Sequence, residues 1–367
     1  MKFSVSREDI LKPLQLATGT VERRHTLPIL SNVLLDISDG VLSLTGTDLE
    51  VELIASVDLV QASDDGKITV PAKKLFDICK GLNDSALIEF TLEEDKLRIR
   101  SGRSKYSLST LPAKDFPNLE EWQSEINFAI KQSDFKRMID NTSFSMANQD
   151  VRYYLNGMSL ETSENQIRCV TTDGHRLALT RIDLAEERLE ESQVIIPRKG
   201  VTEISRLIED SDDNVYISIG SNHIRLSSSG FTFTSKLVDG RFPDYRRVLP
   251  KGGDKEVVAD KSVLKQAFAR AAILSNEKFR GVRLNLASGE LTITATNPEQ
   301  EVAEEVVEVN YQGDDLEIGF NVAYVIDVLN VLESDEVKIT LGDSNSSALI
   351  EDNLDDRSVY VVMPMKL

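Results

Sequence analysis

Leu44-Thr45-Gly46-Thr47-Asp48 returns in altered form as Val170-Thr171-Thr172-Asp173 and again as Ile293-Thr294-Ala295-Thr296-Asn297. Each copy ends a run of alternating character on an Asp or Asn, residues that favour turns. The copies stand about 125 residues apart, so the string marks a repeat.

Other landmarks keep the same spacing. Val70-Pro71 and Ile196-Pro197 are helix-start signals with a first-turn proline, and Asn321 supplies a polar cap at the third place. Leu111-Pro112 to Phe116-Pro117 matches Leu237 to Phe242-Pro243, and the chain closes on Met363-Pro364-Met365. Three units therefore fill 367 residues with almost no linker, at 1–125, 126–250 and 251–367.

Within a unit the pattern predicts helix, strands, helix, strands. Phe135, Met138, Ile139 and Thr142 recur at helical spacing, as do Val263, Leu264, Ala267, Phe268 and Ala271. Ser6 and Asp260 are caps for first helices. The second helices repeat the spacing at Leu75, Ile78, Cys79 and Leu82, and at Val201, Ile204 and Ile208. Between them polar and apolar residues alternate, as in Lys96-Leu97-Arg98-Ile99-Arg100, which predicts antiparallel sheets covered by helices on one face. The fold class is α+β.

Composition narrows the function. With 41% hydrophobic and 28% charged residues the chain is globular and not disordered. No apolar run is long enough to span a membrane, and Met1 to Ile10 lacks a signal-peptide core, which points to the cytoplasm. Cys79 and Cys169 read as buried packing residues of a reducing compartment. The net charge of −19 is unevenly spread. Helical windows carry about +5 and the remainder about −24, so a helical face would attract phosphates without reading sequence. Against this, Lys and Arg are ordinary helix formers, and the window 320–334 holds neither.

No nucleotide-binding, nucleophile-elbow or zinc-protease motif occurs, and no metal or cofactor is expected. The most enzyme-like string is Thr172-Asp173-Gly174-His175-Arg176, in which Asp173 and His175 could form an acid–base pair. Asp173 recurs, however, as Asp48 and Asn297, which favours a shared turn. Gly174, His175 and Arg176 stand where repeat 1 has Leu49, Glu50 and Val51, so their role belongs to repeat 2. An Asp/His enzyme and a repeat scaffold that binds only proteins are the alternatives.

Further strings, spread over all three repeats, are Leu27-Pro28-Ile29-Leu30, Gln149-Asp150-Val151-Arg152-Tyr153-Tyr154-Leu155-Asn156-Gly157, Asp239-Gly240-Arg241-Phe242-Pro243-Asp244-Tyr245 and Val361-Val362-Met363-Pro364-Met365. Together with the repeat they make the sequence resemble the bacterial DNA polymerase III beta subunits, the sliding clamps. The resemblance implies a non-catalytic processivity factor: a head-to-tail homodimer with six units in a ring, helices inside, encircling double-stranded DNA. Its implied partners are the polymerase III catalytic subunit, a clamp loader, and other polymerases and repair proteins that bring short peptides.

By resemblance a peptide-binding groove takes Leu155, Thr172, Gly174, His175, Arg176 and Leu177 from repeat 2. Pro243, Arg247 and Val248 follow, with Val361, Met363 and Pro364 from the carboxyl end. Asn321, Tyr324, Ser347 and Met365 would form its neighbouring part. Arg24, Lys73, Gln149, Arg152, Tyr153, Tyr154 and Lys199 are candidates for DNA contact. For the dimer interface the resemblance implies Lys74, Ile78, Tyr106 and Leu108 on one side, and Ile273, Leu274, Glu301, Glu304 and Glu305 on the other.

Overall fold

The computed structural model describes residues 1–21, 27–62, 64–117, 119, 122–184 and 188–366. Its α-helices are α1 (Arg7–Gly19), α2 (Ala72–Gly81), α3 (Gln132–Asp140), α4 (Arg198–Leu207), α5 (Lys261–Ala271) and α6 (Val322–Val331). Each is entered from a strand and followed by three more, so every repeat contains one strand–helix–three-strand module twice.

The expected caps hold the helix starts. Ser6 accepts from the Asp9 amide at 3.1 Å, Asp260 from Val263 at 2.8 Å and Asn321 from Ala323 at 2.9 Å. Pro71 and Pro197 differ slightly from expectation. Each closes the preceding strand one residue before its helix, where a fixed φ is tolerated.

The strands form sheets of five, nine, eight and four members, antiparallel throughout. Two of these sheets run across repeat boundaries. Val51–Asp58 of repeat 1 pairs with Phe231–Lys236 of repeat 2, and Arg176–Asp183 of repeat 2 pairs with Ser358–Val362 of repeat 3. Packing accordingly groups residues 1–133 with 202–237, and 134–201 with 238–367, as two compact units.

The first unit holds the five- and nine-stranded sheets, with Ile10, Leu14, Leu75, Cys79 and Phe90 buried beneath α1 and α2. The second holds the other two, over a core that includes Leu264, Phe268, Phe320, Val325 and Tyr360. Burial pushes the Cys79 thiol up to about 12 and raises that of Cys169 as well, so both remain protonated packing residues.

The repeated Asp is a turn residue. Asp48 Oδ1 accepts from the amides of Glu50 and Val51, at 2.9 and 2.8 Å, and Asp173 Oδ1 accepts from His175 and Arg176, at 2.8 and 3.0 Å. Thr47 and Thr172 brace the same turn by donating across it to Val51 and Arg176 carbonyls. Asn297 uses its Oδ1 on Glu301, one residue further along, so the third copy is longer.

Two edge strands stand apart. Ser104–Ser109 closes the five-stranded sheet and Val302–Glu308 the four-stranded one. Their counterparts in the other repeats are the strands that pair across repeat boundaries.

Candidate functional site

Leu155, Leu177 and Val361 come together in one buried cluster with Val170, Ile195, Phe242 and Tyr245. Tyr154, Leu249 and Leu349 pack against it. Around this floor the exposed apolar groups are Pro243, Val248 and Met363. Met363 is held by its amide, which donates to the His175 carbonyl at 2.9 Å, and Met365 by a 2.8 Å bond to Gly319. Buried floor and exposed rim suit apolar anchors from a ligand. Methionine adds an adaptable wall.

The short helical turn Tyr245–Arg247 sets the rim, because Val248 follows it directly. Tyr245 is fixed from below by donating to Glu161 at 2.9 Å. Glu161 is 5% exposed and also accepts from Gln193 at 2.8 Å and Arg246 at 3.3 Å. These donors satisfy a carboxylate that burial would otherwise leave unpaired. Burial first, then the charge of Glu161, pushes the Tyr245 phenol up to about 12. Sequence reading missed this support. Its one signal is a Glu inside the strand Gly157–Glu164, flanked by Leu160 and Thr162.

Arg176 is spent inside the protein. Its guanidinium lies 4.4 Å from the Tyr324 ring centroid and 5.4 Å from that of Phe144. It donates to Asp173 at 3.1 Å, Asp327 at 2.5 Å and the Phe144 carbonyl at 2.8 Å. Arg176 thus joins repeat 2 to α6 and Tyr324 instead of presenting a free charge. Asp173, bound by two amides and Arg176, is likewise committed to the turn.

Gly174 closes that turn at φ +91°, a conformation that L side chains rarely adopt. A Cβ there would also meet the Arg152 guanidinium at 3.0 Å. Thr172, Asn321, Tyr324, Ser347, Pro364 and Met365 are half-buried, and His175 is exposed. A cleft of about 1170 Å³ runs beside Arg247 and Val248 to Gly342 and Ser347.

Family models of the DNA polymerase III beta subunit match the chain in series: the N-terminal domain at residues 1–120, the central domain at 129–244 and the C-terminal domain at 246–366. The chain belongs to the bacterial sliding-clamp family. It is 58% identical over 367 residues to the beta sliding clamp of Escherichia coli K12, and 57% identical to that of Pseudomonas putida, with full coverage of both chains in each case. A crystal structure of the Pseudomonas aeruginosa beta subunit superposes with a TM-score of 0.98 at 57% identity, covering all of both chains. The Caulobacter crescentus beta subunit gives 0.95 at 36% identity, again over all of both chains.

The candidates for DNA contact in this clamp chain fare unequally. Arg24 lies outside the described residues. Arg152 forks onto Asp150, at 3.0 and 2.9 Å, and donates to the Asp173 carbonyl at 3.1 Å. The hydrogen bonds from Arg152 hold the half-buried Asp150 carboxyl down at about 2. Tyr154 packs on the groove cluster, with Tyr153 edge-on to it at 5.8 Å and exposed. Gln149 is exposed at φ +55°. Lys73 is exposed and paired with Asp77, and Lys199 is half-buried.

Of the interface candidates, Ile273 is 76% exposed and Tyr106 39% exposed. Leu274 and Ile78 are half-buried, Lys74, Glu301 and Glu304 exposed. Leu108 is already buried in its own chain, and Glu305 is held by Arg270 in a double ion pair at 2.8 and 2.6 Å. Among the described residues no helix is long and apolar enough to cross a membrane.

Proposed function

We propose that this chain is one of two subunits of a closed ring that slides on duplex DNA and holds DNA polymerase III at its template, catalysing no reaction itself. The observation that carries this reading is the pair of open edges. Among the described residues Ser104–Ser109 and Val302–Glu308 are each paired on one side only, where their counterparts elsewhere in the chain are paired on both. Joining the Val302–Glu308 edge of one copy to the Ser104–Ser109 edge of another continues the sheets by the rule already used twice within the chain. Such a head-to-tail contact closes after two copies of three repeats, at 1–125, 126–250 and 251–367, and leaves neither of these edges open.

Charge supports the same pairing. The Val302–Glu308 strand carries Glu304, Glu305 and Glu308, while Lys96, Arg98, Arg100, Arg103 and Lys105 crowd the other edge and its hairpin. Opposite potentials favour this register over edges of like charge.

The apolar floor of Leu155, Leu177 and Val361 with its Val248 and Met363 rim serves as the docking groove for peptides of the polymerase, the clamp loader and repair proteins. A Pseudomonas aeruginosa sliding clamp, 57% identical, has been solved bound to griselimycin. Asn321, Tyr324, Ser347 and Met365 extend the groove. Gln149, Arg152, Tyr153, Lys73, Lys199 and Arg24 are assigned to DNA, contacted at its phosphates in the cytoplasm.

A topological experiment tests the reading. Loaded on nicked circular DNA, the protein should be retained through gel filtration and should run off once the circle is linearised. Equal retention on circular and linear DNA would refute encirclement.

A further inference from the structure

The groove has a counterpart one repeat earlier, and the strand registers define it. Val51 pairs with Ser235 and Glu52 with Thr234, as Arg176 pairs with Val362 and Leu177 with Val361. The Lys236 amide donates to the Glu50 carbonyl at 2.9 Å just as Met363 does to His175. The connecting segment aligns without a gap, Phe116-Pro117 through Trp122 on Phe242-Pro243 through Val248. Glu52, Lys236 and Trp122 thus stand in the places of Leu177, Met363 and Val248.

The counterpart space is filled. The Trp122 indole stacks on His223 at 5.7 Å between centroids and 20° between planes, and the Arg225 guanidinium lies 5.1 Å from the ring centroid. It also closes on Gly220, where an added Cβ would come within 2.6 Å of the indole Cε3. By register His223 corresponds to Ser347, Arg225 to Leu349 and Gly220 to Gly342. In the second unit Gly342 and Ser347 line the open cleft beside Val248, and only Ser346 approaches an added Cβ at Gly342.

Trp122 is the only tryptophan in the chain, and its Nε1 is buried with no acceptor among the described residues. The ring is therefore held by packing and by the neighbouring cation, as an apolar anchor in a pocket would be.

We propose that Trp122 is a built-in occupant that closes the repeat 1 counterpart of the partner groove, so that each chain offers partner peptides a single groove. Filling excludes an incoming side chain, and Glu52 and Lys236 deny it the apolar walls that Leu177 and Met363 supply. Specificity of this kind works by blocking a competing site on the same molecule. The inference rests on the groove reading above.

Trp122→Gly removes the indole and leaves every groove residue in place. Calorimetry should find indole binding this variant saturably at one site per chain beyond any uptake by the intact protein. A variant that unfolds cooperatively but takes up no indole would overturn the proposal. The triple variant Glu52→Leu, Trp122→Val, Lys236→Met carries the groove's own residues at three positions. A short polymerase-derived peptide should then bind at two sites per chain in place of one, and a folded triple variant with a single site would equally overturn it. Failure of the peptide to bind the intact chain at all would sink the groove reading instead, with indole still deciding on Trp122. Should the variants not fold, acrylamide quenching of the intact protein decides. Quenching several-fold weaker than for free N-acetyltryptophanamide supports an enclosed indole, and equal quenching overturns it.

Discussion

Tyr245 donates its hydroxyl to the buried carboxylate of Glu161 across 2.9 Å, and this bond anchors the short turn that carries Arg247 and leads into Val248, at the rim of the proposed groove. Replacing Tyr245 by Phe removes one donor from a buried anion that keeps Gln193 and Arg246. The expected cost is about 1.5–3 kcal/mol, read from denaturant unfolding, with a several-fold loss of peptide affinity. pH gives a second readout. The folded phenol lies up at about 12 against an ordinary value of 10.0, so its contribution is complete below pH 10 and is lost as pH rises through 12. The stability gap between intact protein and Tyr245→Phe should narrow over that window. A constant gap would show that the phenol is not held as described.

Arg176→Lys is not a conservative change here. Lysine cannot reach Asp173, Asp327 and the Phe144 carbonyl together, nor lie flat against Tyr324. Loss of the fork leaves partly buried carboxylates unpaired, with a discount for Asp327, whose side chain is 39% exposed. The expected destabilisation is about 2–3 kcal/mol, checked by thermal unfolding. A melting temperature within a degree of the intact protein would contradict the assigned role.

Exposed Ile273 and half-buried Leu274 form an apolar step in the turn that follows α5, beside the open Val302–Glu308 edge. Changing both to Ala should convert dimers to monomers at nanomolar concentration, since burial of two aliphatic side chains contributes roughly 3–6 kcal/mol. Sedimentation velocity reads the outcome. An unaltered dimer would mean that the interface lies elsewhere.

Deleting residues 363–367 takes away the Met363 rim and the Met365 anchor on Gly319 but leaves both open edges intact. The truncated protein should remain a dimer and lose affinity for a polymerase-derived peptide by at least tenfold, because apolar anchors in pockets supply most of the binding energy. Equal affinities in calorimetry would remove the carboxyl end from the groove.

Local signals in the sequence proved sufficient for the modules and the repeat. Ser6, Asp260 and Asn321 announce helix starts because capping is decided within three residues, and the Asp48 and Asp173 turns follow from side chains bonding their own backbone. The candidate groove residues were named by resemblance, since Leu155, Leu177 and Val361 meet only through strand pairing. What escaped notice depends on long-range partners. Nothing near Arg176 announces Asp327, 151 residues away, and nothing near Glu161 announces Tyr245, 84 residues away. Tyr154, a candidate for DNA contact, packs on the buried cluster of Leu155, Leu177 and Val361, a neighbourhood its own loop does not announce. The crossing of repeat boundaries by two sheets was also hidden, because alternation shows that a strand exists and not which strand it joins.

That crossing has a consequence for synthesis. Val51–Asp58 leaves the ribosome long before its neighbour Phe231–Lys236, and at ordinary elongation speeds the wait is on the order of ten seconds or more. Throughout that interval the nascent chain carries an unpaired strand edge, the feature most prone to aggregation. Glu52 sits on this strand and is 8% exposed in the finished sheet, where burial raises its carboxyl above the ordinary range. On the unfinished edge the same carboxylate stands hydrated and charged, and any stray strand that docked there would have to bury it without the Leu119 amide and Arg225 that await it. A residue mildly unfavourable to the completed fold would thus oppose mispairing while the chain is still being made.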